Sequence, residues 1–412
     1  MSDFYQKFRS EIAAGGATEQ ADDRPTASAR LSGVVMLALL VLLAVRSPWT
    51  FVFVVGLLVS VFLHEVGHYS TARLTGMKAT QFYMGFGPRI WSTTRNGVEW
   101  GVRALPLGAF VRIIGMNNLD EVEPSDEPMA YRSKSFPRRL LVITAGSLMH
   151  LVIAFVLFFA VFVTAGREQQ TGVATVRNVD PTTGPAREIG LRDGDVILSI
   201  GGAQVTSRDE VVAAITAGSP GDTVRVEWER DGERLSAEVV LAANPGDAAR
   251  PYMGIYADDW GWSRLSPVEA VGQAGSDIVR TAVDSVKGVA VALNPLNSLR
   301  HLTDDNAPLE TRPTTVVGIS QVGGDIGSSE GLKGVLVLLA AVNVFVGVFN
   351  MFPLLPFDGG HAAIAIYERV RSRGGRRHVA DISKMVPVAT AVVGVLAVLL
   401  LTGLWLDVTR PL

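Results

Sequence analysis

The chain has 412 residues, of which 48% are strongly apolar, 42 are glycine and only 19% are charged. Its 37 Lys+Arg against 40 Asp+Glu leave a net charge of −3, which excludes a disordered charge-rich chain and a basic nucleic-acid-binding protein. With 0 cysteines there is no disulfide, thiolate metal site or cysteine nucleophile, so any bound metal must use His and carboxylate ligands.

Several charge-free runs point to a membrane protein, because a helical span needs roughly 20 apolar residues to cross a core of about 30 Å. Residues 1–30 read as a tail. Leu31 to Val45 is a short apolar run bracketed by Arg30 and Arg46, which can snorkel to the interfaces. It reads as a first span turned back at Arg46-Ser47-Pro48, with a signal peptide as the competing reading, although no small-x-small cleavage site follows.

The next run, Ser47 to Leu63, becomes long enough to span if its helix continues through His64-Glu65-Val66-Gly67-His68. On a helix, positions i and i+4 share a face, so both imidazoles can reach one metal ion, with Glu65 beside them to take a proton from water. Burying His, Glu and His in a membrane span is expensive and marks a functional site. In the following segment Val98, Trp100 and Val102 alternate with other residues as in a strand. The acidic stretch Asp120 to Glu127 reads as a solvated linker.

Leu140 to Gly166, with His150 inside, is the next span. Gly172 to Val179 then alternates as a strand, and Leu191-Arg192-Asp193-Gly194-Asp195 is a turn feeding the strand Val196 to Ile200. Ser207 to Ala217 has helical spacing, and Val224, Val226 and Trp228 alternate. Asp231-Gly232 marks a type I′ hairpin returning through Leu235 to Val240. The run Gly184-Pro185-Ala186, Gly190-Leu191 and Gly194-Asp195-Val196-Ile197 resembles a PDZ domain of the bacterial protease-associated kind; a generic small α/β domain is the plainer alternative. PDZ domains bind extended peptides by strand addition. Ser266-Pro267-Val268-Glu269 is a capping box opening a helix through Val271, Ile278, Ala282 and Val289. It fits equally an amphipathic helix on the outer membrane face and a packed core helix.

Val335 to Phe357 is the fourth span and Met385 to Leu406 the fifth. The fourth ends in Asn350-Met351-Phe352-Pro353-Leu354-Leu355-Pro356-Phe357-Asp358-Gly359-Gly360-His361, where the prolines break the helix and the glycines allow close backbone approach. Asp358 is the best candidate for a third metal ligand, since catalytic zinc takes three protein ligands and leaves a position for water. His361 is the rival. Lys and Arg crowd the loop from Arg73 to Arg139, and Arg369, Arg371, Arg373, Arg376 and Arg377 precede the last span. The positive-inside rule makes both loops, and the N-terminus, cytoplasmic.

The expected fold is therefore an α-helical polytopic membrane protein of about five spans, with an inserted extracytoplasmic PDZ-like α+β domain; a resemblance to a known family implies, in addition, a membrane-associated β-hairpin region. The boundaries expected are a tail at 1–30, the first two spans at 31–75, a cytoplasmic-side β region and linker at 76–138, and span 3 at 139–166. The PDZ-like domain follows at 168–242, a segment with the amphipathic helix at 243–333, span 4 at 334–360, a cytoplasmic loop at 361–384 and span 5 at 385–406.

The pair HEVGH and NMFPLLPFDGG, in this order, resembles the site-2 protease family of intramembrane zinc metalloproteases, whose bacterial members carry a PDZ domain between the second and third conserved spans. The resemblance implies one zinc ion per chain held by His64, His68 and Asp358, with Glu65 as general base. It places Asn350, Pro353 and Pro356 near the bound substrate strand. Gly85-Phe86-Gly87-Pro88 and Leu105-Pro106-Leu107-Gly108-Ala109-Phe110-Val111 match the family's membrane-associated hairpin, so that Gly108 joins the substrate-binding residues; a hairpin that only plugs the cytoplasmic face is the alternative. Phe357 stands where the family usually has leucine. In Ala145-Gly146-Ser147-Leu148-Met149-His150, Ser147 and His150 replace the usual Pro and Asn, and His150 either contacts substrate or is a satisfied buried histidine. The resemblance implies cleavage of single-span membrane proteins, such as anti-sigma factors already trimmed by another protease, in a bacterial plasma membrane, with no nucleic-acid partner. A non-catalytic membrane PDZ adaptor with a structural metal is the competing function.

Overall fold

The computed structural model describes residues 27–116, 120–181, 184–292, 294–304, 307–372 and 378–411. Most of the 1–30 tail, and Arg373, Arg376 and Arg377, lie outside the described residues. The chain divides into two compact units, Phe162–Val268 and the remainder.

In the larger unit, four helices are long and apolar enough to cross a membrane, namely Pro48–Leu74, Phe136–Thr164, Leu332–Asn350 and Val386–Thr409. Helix α1, Ala27–Arg46, contributes the shorter apolar stretch Leu31–Arg46. Helix α2, Pro48–Leu74, starts with proline at its first position, where the missing N–H costs nothing, and runs unbroken through His64 and His68. It ends where Gly76 takes φ +72° and Met77 N–H bonds back to the Ala72 carbonyl at 2.8 Å.

Strands β1, Ala79–Arg95, and β2, Val98–Ile113, form an antiparallel hairpin closed by Asn96-Gly97 at φ 51° and 75°, as a type I′ turn requires. The hairpin curls so that Gln81, Phe82, Tyr83 and Met84 pair on one side with Glu99 to Val102 and on the other with Ala109 to Arg112. This leaves 109–112 as an edge. Phe82 stacks on Trp100 at 4.5 Å, while Phe62 and Tyr69 of α2 approach these rings edge-on at 5.4 and 5.0 Å. Aromatic burial thus seats the hairpin on the turns of α2 that carry the histidines. The acidic stretch differs from the solvated linker expected. Asp120 accepts from Gly115 N–H and Arg112, Asp126 pairs with Lys78, and Glu127 pairs with Arg132, which ties the linker to the base of the hairpin.

Helix α3 spans Phe136–Thr164. The smaller unit that follows has a sheet in the order β10-β3-β4-β6-β7. Here β3 is Arg167–Val179, β4 Val196–Ile200, β6 Thr223–Arg230, β7 Glu233–Val240 and β10 Ile255–Ser263, with β5, Ala203–Gln204, paired to β4. Strands β8, Ala242–Asn244, and β9, Asp247–Tyr252, form a separate ribbon. Helices α4, Pro185–Glu188, and α5, Arg208–Thr216, complete the unit. The unit is wider than 168–242 because β10 pairs with β3 across the whole intervening chain. Trp228, Ile197, Ile200, Val226 and Met253 are buried together as its core. Asp231-Gly232 takes φ 52° and 82° at the β6–β7 turn, as the dipeptide signals. Asp195 is fully buried and receives both Nε and Nη2 of Arg230 at 2.7 Å, pinning the turn before β4 to β6.

Back in the larger unit, helix α6, Pro267–Ala292, buries Ala270, Ala274, Ser285 and Val289 and exposes Val268, Val271, Val279, Val283 and Val286. It is packed on its small face and apolar on its open one, combining the two readings left open by its sequence. After α7, Pro295–Thr303, comes α8, Val316–Glu330, whose Gly323, Gly324 and Gly327 lie against Phe53, Thr50 and Trp49 of α2. Small residues let the two helices approach this closely.

Helix α9 is Leu332–Asn350, so the fourth span ends seven residues before the Phe357 boundary expected. The chain turns through Met351 to Phe357, where Pro353 and Pro356 cannot donate to a helical ladder. Helix α10, Asp358–Arg371, then occupies much of what was expected as a loop. Helix α11, Val386–Thr409, is the last candidate span. Asp407 near its end is fully buried and accepts from Thr315 N–H at 2.8 Å, Thr315 Oγ1 at 2.7 Å and Gly318 N–H at 3.1 Å. A carboxylate at the start of α8 offsets that helix's free N–H groups, an arrangement worth up to about 2 kcal/mol when partly buried.

Candidate metal centre

His64 and His68 lie one turn apart on α2 and are both buried. Asp358 comes from the first turn of α10, nearly three hundred positions later. The glycines after it decide its approach. A Cβ on Gly359 would lie 2.2 Å from the Met351 backbone, and one on Gly360 would lie 2.6 Å from the Leu354 carbonyl carbon. Only a chain bare at these positions folds back over its own helix start and presents Asp358 inward.

His68 Nδ1 lies 2.7 Å from the Val142 carbonyl of α3. That bond places the proton on Nδ1 and leaves the Nε2 lone pair facing the site. His68 Nε2 is 3.1 Å from His64 Nε2 and 3.3 Å from Asp358 Oδ2. His64 Nε2 is 3.5 Å from the same oxygen. Two acceptors, His68 Nε2 and Asp358 Oδ2, therefore face His64 Nε2, and Asp358 Oδ2 is buried with no hydrogen-bond donor. A cation among them relieves the repulsion of the facing acceptors. Tetrahedral zinc with bonds of 2.0–2.2 Å holds its ligand atoms about 3.3 Å apart, and the three observed edges match that spacing. Among the described residues these three form the only such cluster of His, Asp and Glu, leaving a tetrahedral ion one open position, as in catalytic rather than structural sites.

Gly146 of α3 forms the wall behind the imidazoles. A Cβ there would stand 2.3 Å from His68 Nε2 and 2.4 Å from His64 Cε1. Gly146→Ala is expected to weaken zinc binding by about 10- to 100-fold, the range seen when groups supporting metal ligands are disturbed. Titration against a competing chelator measures this, and an unchanged affinity would show that the rings can move aside.

The cavity at the site has a volume of about 130 Å³ and is lined by His64, Glu65, His68, Asp358, His361 and Pro356 together with Phe110 and Val111 of the hairpin edge. Glu65 Oε1 lies 3.9 Å from His64 Nε2, on the cavity side. His361 is buried one turn after Asp358 and lines the cavity without joining the ligand cluster. Gly108, at φ +154°, packs against Phe86 two positions before the cavity-lining Phe110. Asn350 ends α9, and Pro353 lines a different, apolar depression with Leu148, Leu151 and Val286, so the structure separates Pro353 from Pro356.

His150 is buried, with Nδ1 2.8 Å from Asn343 Oδ1, and its ring centroid lies 4.9 Å from that of His64. Asn343 Nδ2 donates to Ser60 Oγ at 3.0 Å and to the Leu339 carbonyl at 2.8 Å. His150 is thus a satisfied histidine in a polar chain joining α2, α3 and α9. Asn343 and Val142 escaped the sequence reading. An asparagine inside an apolar span is itself a signal of this kind, whereas a backbone carbonyl leaves none.

A buried two-histidine, one-aspartate centre on a membrane-span helix, with a glutamate and a strand edge at its cavity, defines a metallopeptidase of the membrane. The chain belongs to peptidase family M50, whose sequence profile matches residues 52–394. It is similar to the zinc metalloprotease Rip1 of Mycolicibacterium smegmatis, 32% identical over 395 residues that cover 87% of this chain and 97% of that protein. Rip1 of Mycobacterium tuberculosis strain H37Rv is likewise 32% identical over 394 residues, with the same coverage. A putative zinc metalloprotease of Nostoc is 29% identical over 326 residues, covering 77% of this chain and 85% of that one. Among solved structures, the PDZ domain of an SdrC-like protein from Listeria monocytogenes matches 22% of this chain and 90% of its own, at 26% identity and a TM-score of 0.19.

Proposed function

We propose that the protein is an intramembrane zinc endopeptidase that cleaves single-span membrane proteins, such as anti-sigma factors, in regulated intramembrane proteolysis. The observation that carries this reading is the convergence of His64, His68 and Asp358 in one buried cavity with Glu65 and the hairpin edge. His64 lies sixteen residues into α2, roughly 24 Å along its axis at 1.5 Å per residue, which, with the N-terminus cytoplasmic, supports chemistry toward the cytoplasmic side of the bilayer.

Zinc bound by the three ligands supplies a Lewis acid that activates water near neutral pH and polarises the scissile carbonyl. Glu65 accepts the proton of the attacking water and passes it to the leaving amine. His68, oriented by the Val142 carbonyl, keeps its Nε2 lone pair on the site. A helical peptide bond is shielded from attack, so the substrate must be held extended. The 109–112 edge, with Gly108 before it, offers a strand edge for substrate addition beside Glu65, whose carboxylate already takes the Val111 N–H. Pro356 borders the same cavity, and Asn350 and Pro353 frame the turn that delivers Asp358.

In this reading α1 is a fifth span in a bacterial plasma membrane, the N-terminus is cytoplasmic, and the PDZ-like unit is extracytoplasmic, where it screens or docks substrates trimmed by another protease. Support for the topology comes from Asp407, which holds the end of α11 beside the start of α8, as it must if both lie outside. The test is reconstitution of the full chain with a single-span protein and mapping of the product ends by mass spectrometry. Ends inside the apolar segment are expected; cleavage confined to soluble loops would overturn the reading.

A further inference from the structure

Away from the metal centre, at the membrane edge where α3 begins and α10 ends, lies a second cavity of about 530 Å³. Its walls carry Lys134, Arg139, Arg369 and His378 against a single carboxylate, Glu368. That carboxylate is already committed. Its Oε2 lies 2.7 Å from Arg139 Nη1, and its Oε1 accepts from Ala380 N–H at 2.8 Å. Lys134 and Arg369 make no ion pair among the described residues, so the cavity keeps a positive surplus. Arg139 lies 93% out of solvent, with its guanidinium 4.8 Å from the Tyr131 ring centroid, and its Nε has no hydrogen-bond partner. A buried donor of this kind calls for an acceptor.

The surroundings decide which acceptor. Ile366, Tyr367 and Val370 stand 47%, 49% and 60% exposed around Arg369 on the last turns of α10. A tyrosine among exposed aliphatic side chains, beside the basic groups that open α3, is the composition of a headgroup interface. Basic pockets between membrane helices on the cytoplasmic side suit anionic lipid headgroups.

We infer that this cavity binds a phosphate group, carried by the headgroup of an anionic phospholipid whose acyl chains lie along Ile366, Tyr367 and Val370. The headgroup bridges Lys134, at the entry to α3, and Arg369, at the end of α10. It thereby braces from its far end the helix that begins with Asp358.

The test is native mass spectrometry of the detergent-purified full chain after addition of phosphatidylglycerol or phosphatidylcholine. The wild type is expected to retain phosphatidylglycerol in preference to phosphatidylcholine. Lys134→Gln with Arg369→Gln is expected to weaken that retention by about 30-fold, the worth of two surface cations toward an anionic headgroup. Zinc content measured alongside confirms that the variant is folded, and Arg371→Gln, outside the cavity walls, serves as the charge control with retention close to wild type. Millimolar inorganic phosphate distinguishes the sources: displacement of the lipid shows that free phosphate also occupies the site, and undiminished retention shows that the lipid itself is required. Equal retention of the two lipids, or equal retention by wild type and the double variant, would overturn the inference.

Discussion

Glu65→Gln is expected to retain one zinc per chain and to lose peptide-bond cleavage by about a thousand-fold or more. Glutamine keeps the shape of the side chain and its seat in the cavity, but it cannot take a proton. General acid–base groups contribute about 10²- to 10⁴-fold, and in the proposed mechanism Glu65 serves two transfers in one turnover, from water and onward to the leaving amine. The cluster able to hold a metal among the described residues is His64, His68 and Asp358 without Glu65, so the substitution leaves it whole. Parallel measurement of product formation and of metal content on the same preparation separates the two effects. Cleavage that persists in Glu65→Gln would rule out this residue as the base. A wild type that holds its zinc yet cleaves nothing would instead revive the idea of a binding module with a structural ion, which the three-residue cluster and the family both disfavour.

Asp358→Ala is expected to reduce bound zinc from about one ion per chain to near none, as is His64→Ala. Disturbing a group that merely supports a ligand costs about 10- to 100-fold in affinity, and removing a first ligand costs more. The variant also removes, among the described residues, the one anion facing the two Nε2 atoms within 3.5 Å, leaving imidazoles to hold a dication. His361→Ala, by contrast, is expected to keep its zinc, because His361 lines the cavity without joining the cluster. Metal analysis of the four proteins side by side settles the third ligand. Zinc retained in Asp358→Ala and lost in His361→Ala would transfer the role to the histidine.

Much of this molecule was legible because its strongest signals are local. The spans are readable from runs without charge, since the bilayer penalises each charged group wherever the chain places it. His64 and His68 fall on one helical face by spacing alone, with Glu65 beside them, and Asp231-Gly232 names its own turn through the positive φ both residues must adopt. Boundaries were less legible where long-range pairing decides them. β10 belongs to the smaller unit only because it pairs with β3, and the fourth helix stops at Asn350, a turn ahead of the prolines.

By itself the sequence determined the apolar character of the chain, the order of the four long apolar helices, the two candidate metal motifs and the limit of ligand chemistry to His and carboxylate. These follow from composition and from periods of two to four residues. Only the tertiary structure decided that Asp358 rather than His361 meets the imidazoles, and that Gly146 must be bare so that they can stand there. It likewise joined His150 to Asn343 and Ser60, and committed the acidic linker to Arg112, Lys78 and Arg132. The physical reason is the same in each case. A metal bond, a buried hydrogen bond or an excluded Cβ is settled within a few ångströms, between residues whose separation along the chain carries no information about their distance in space.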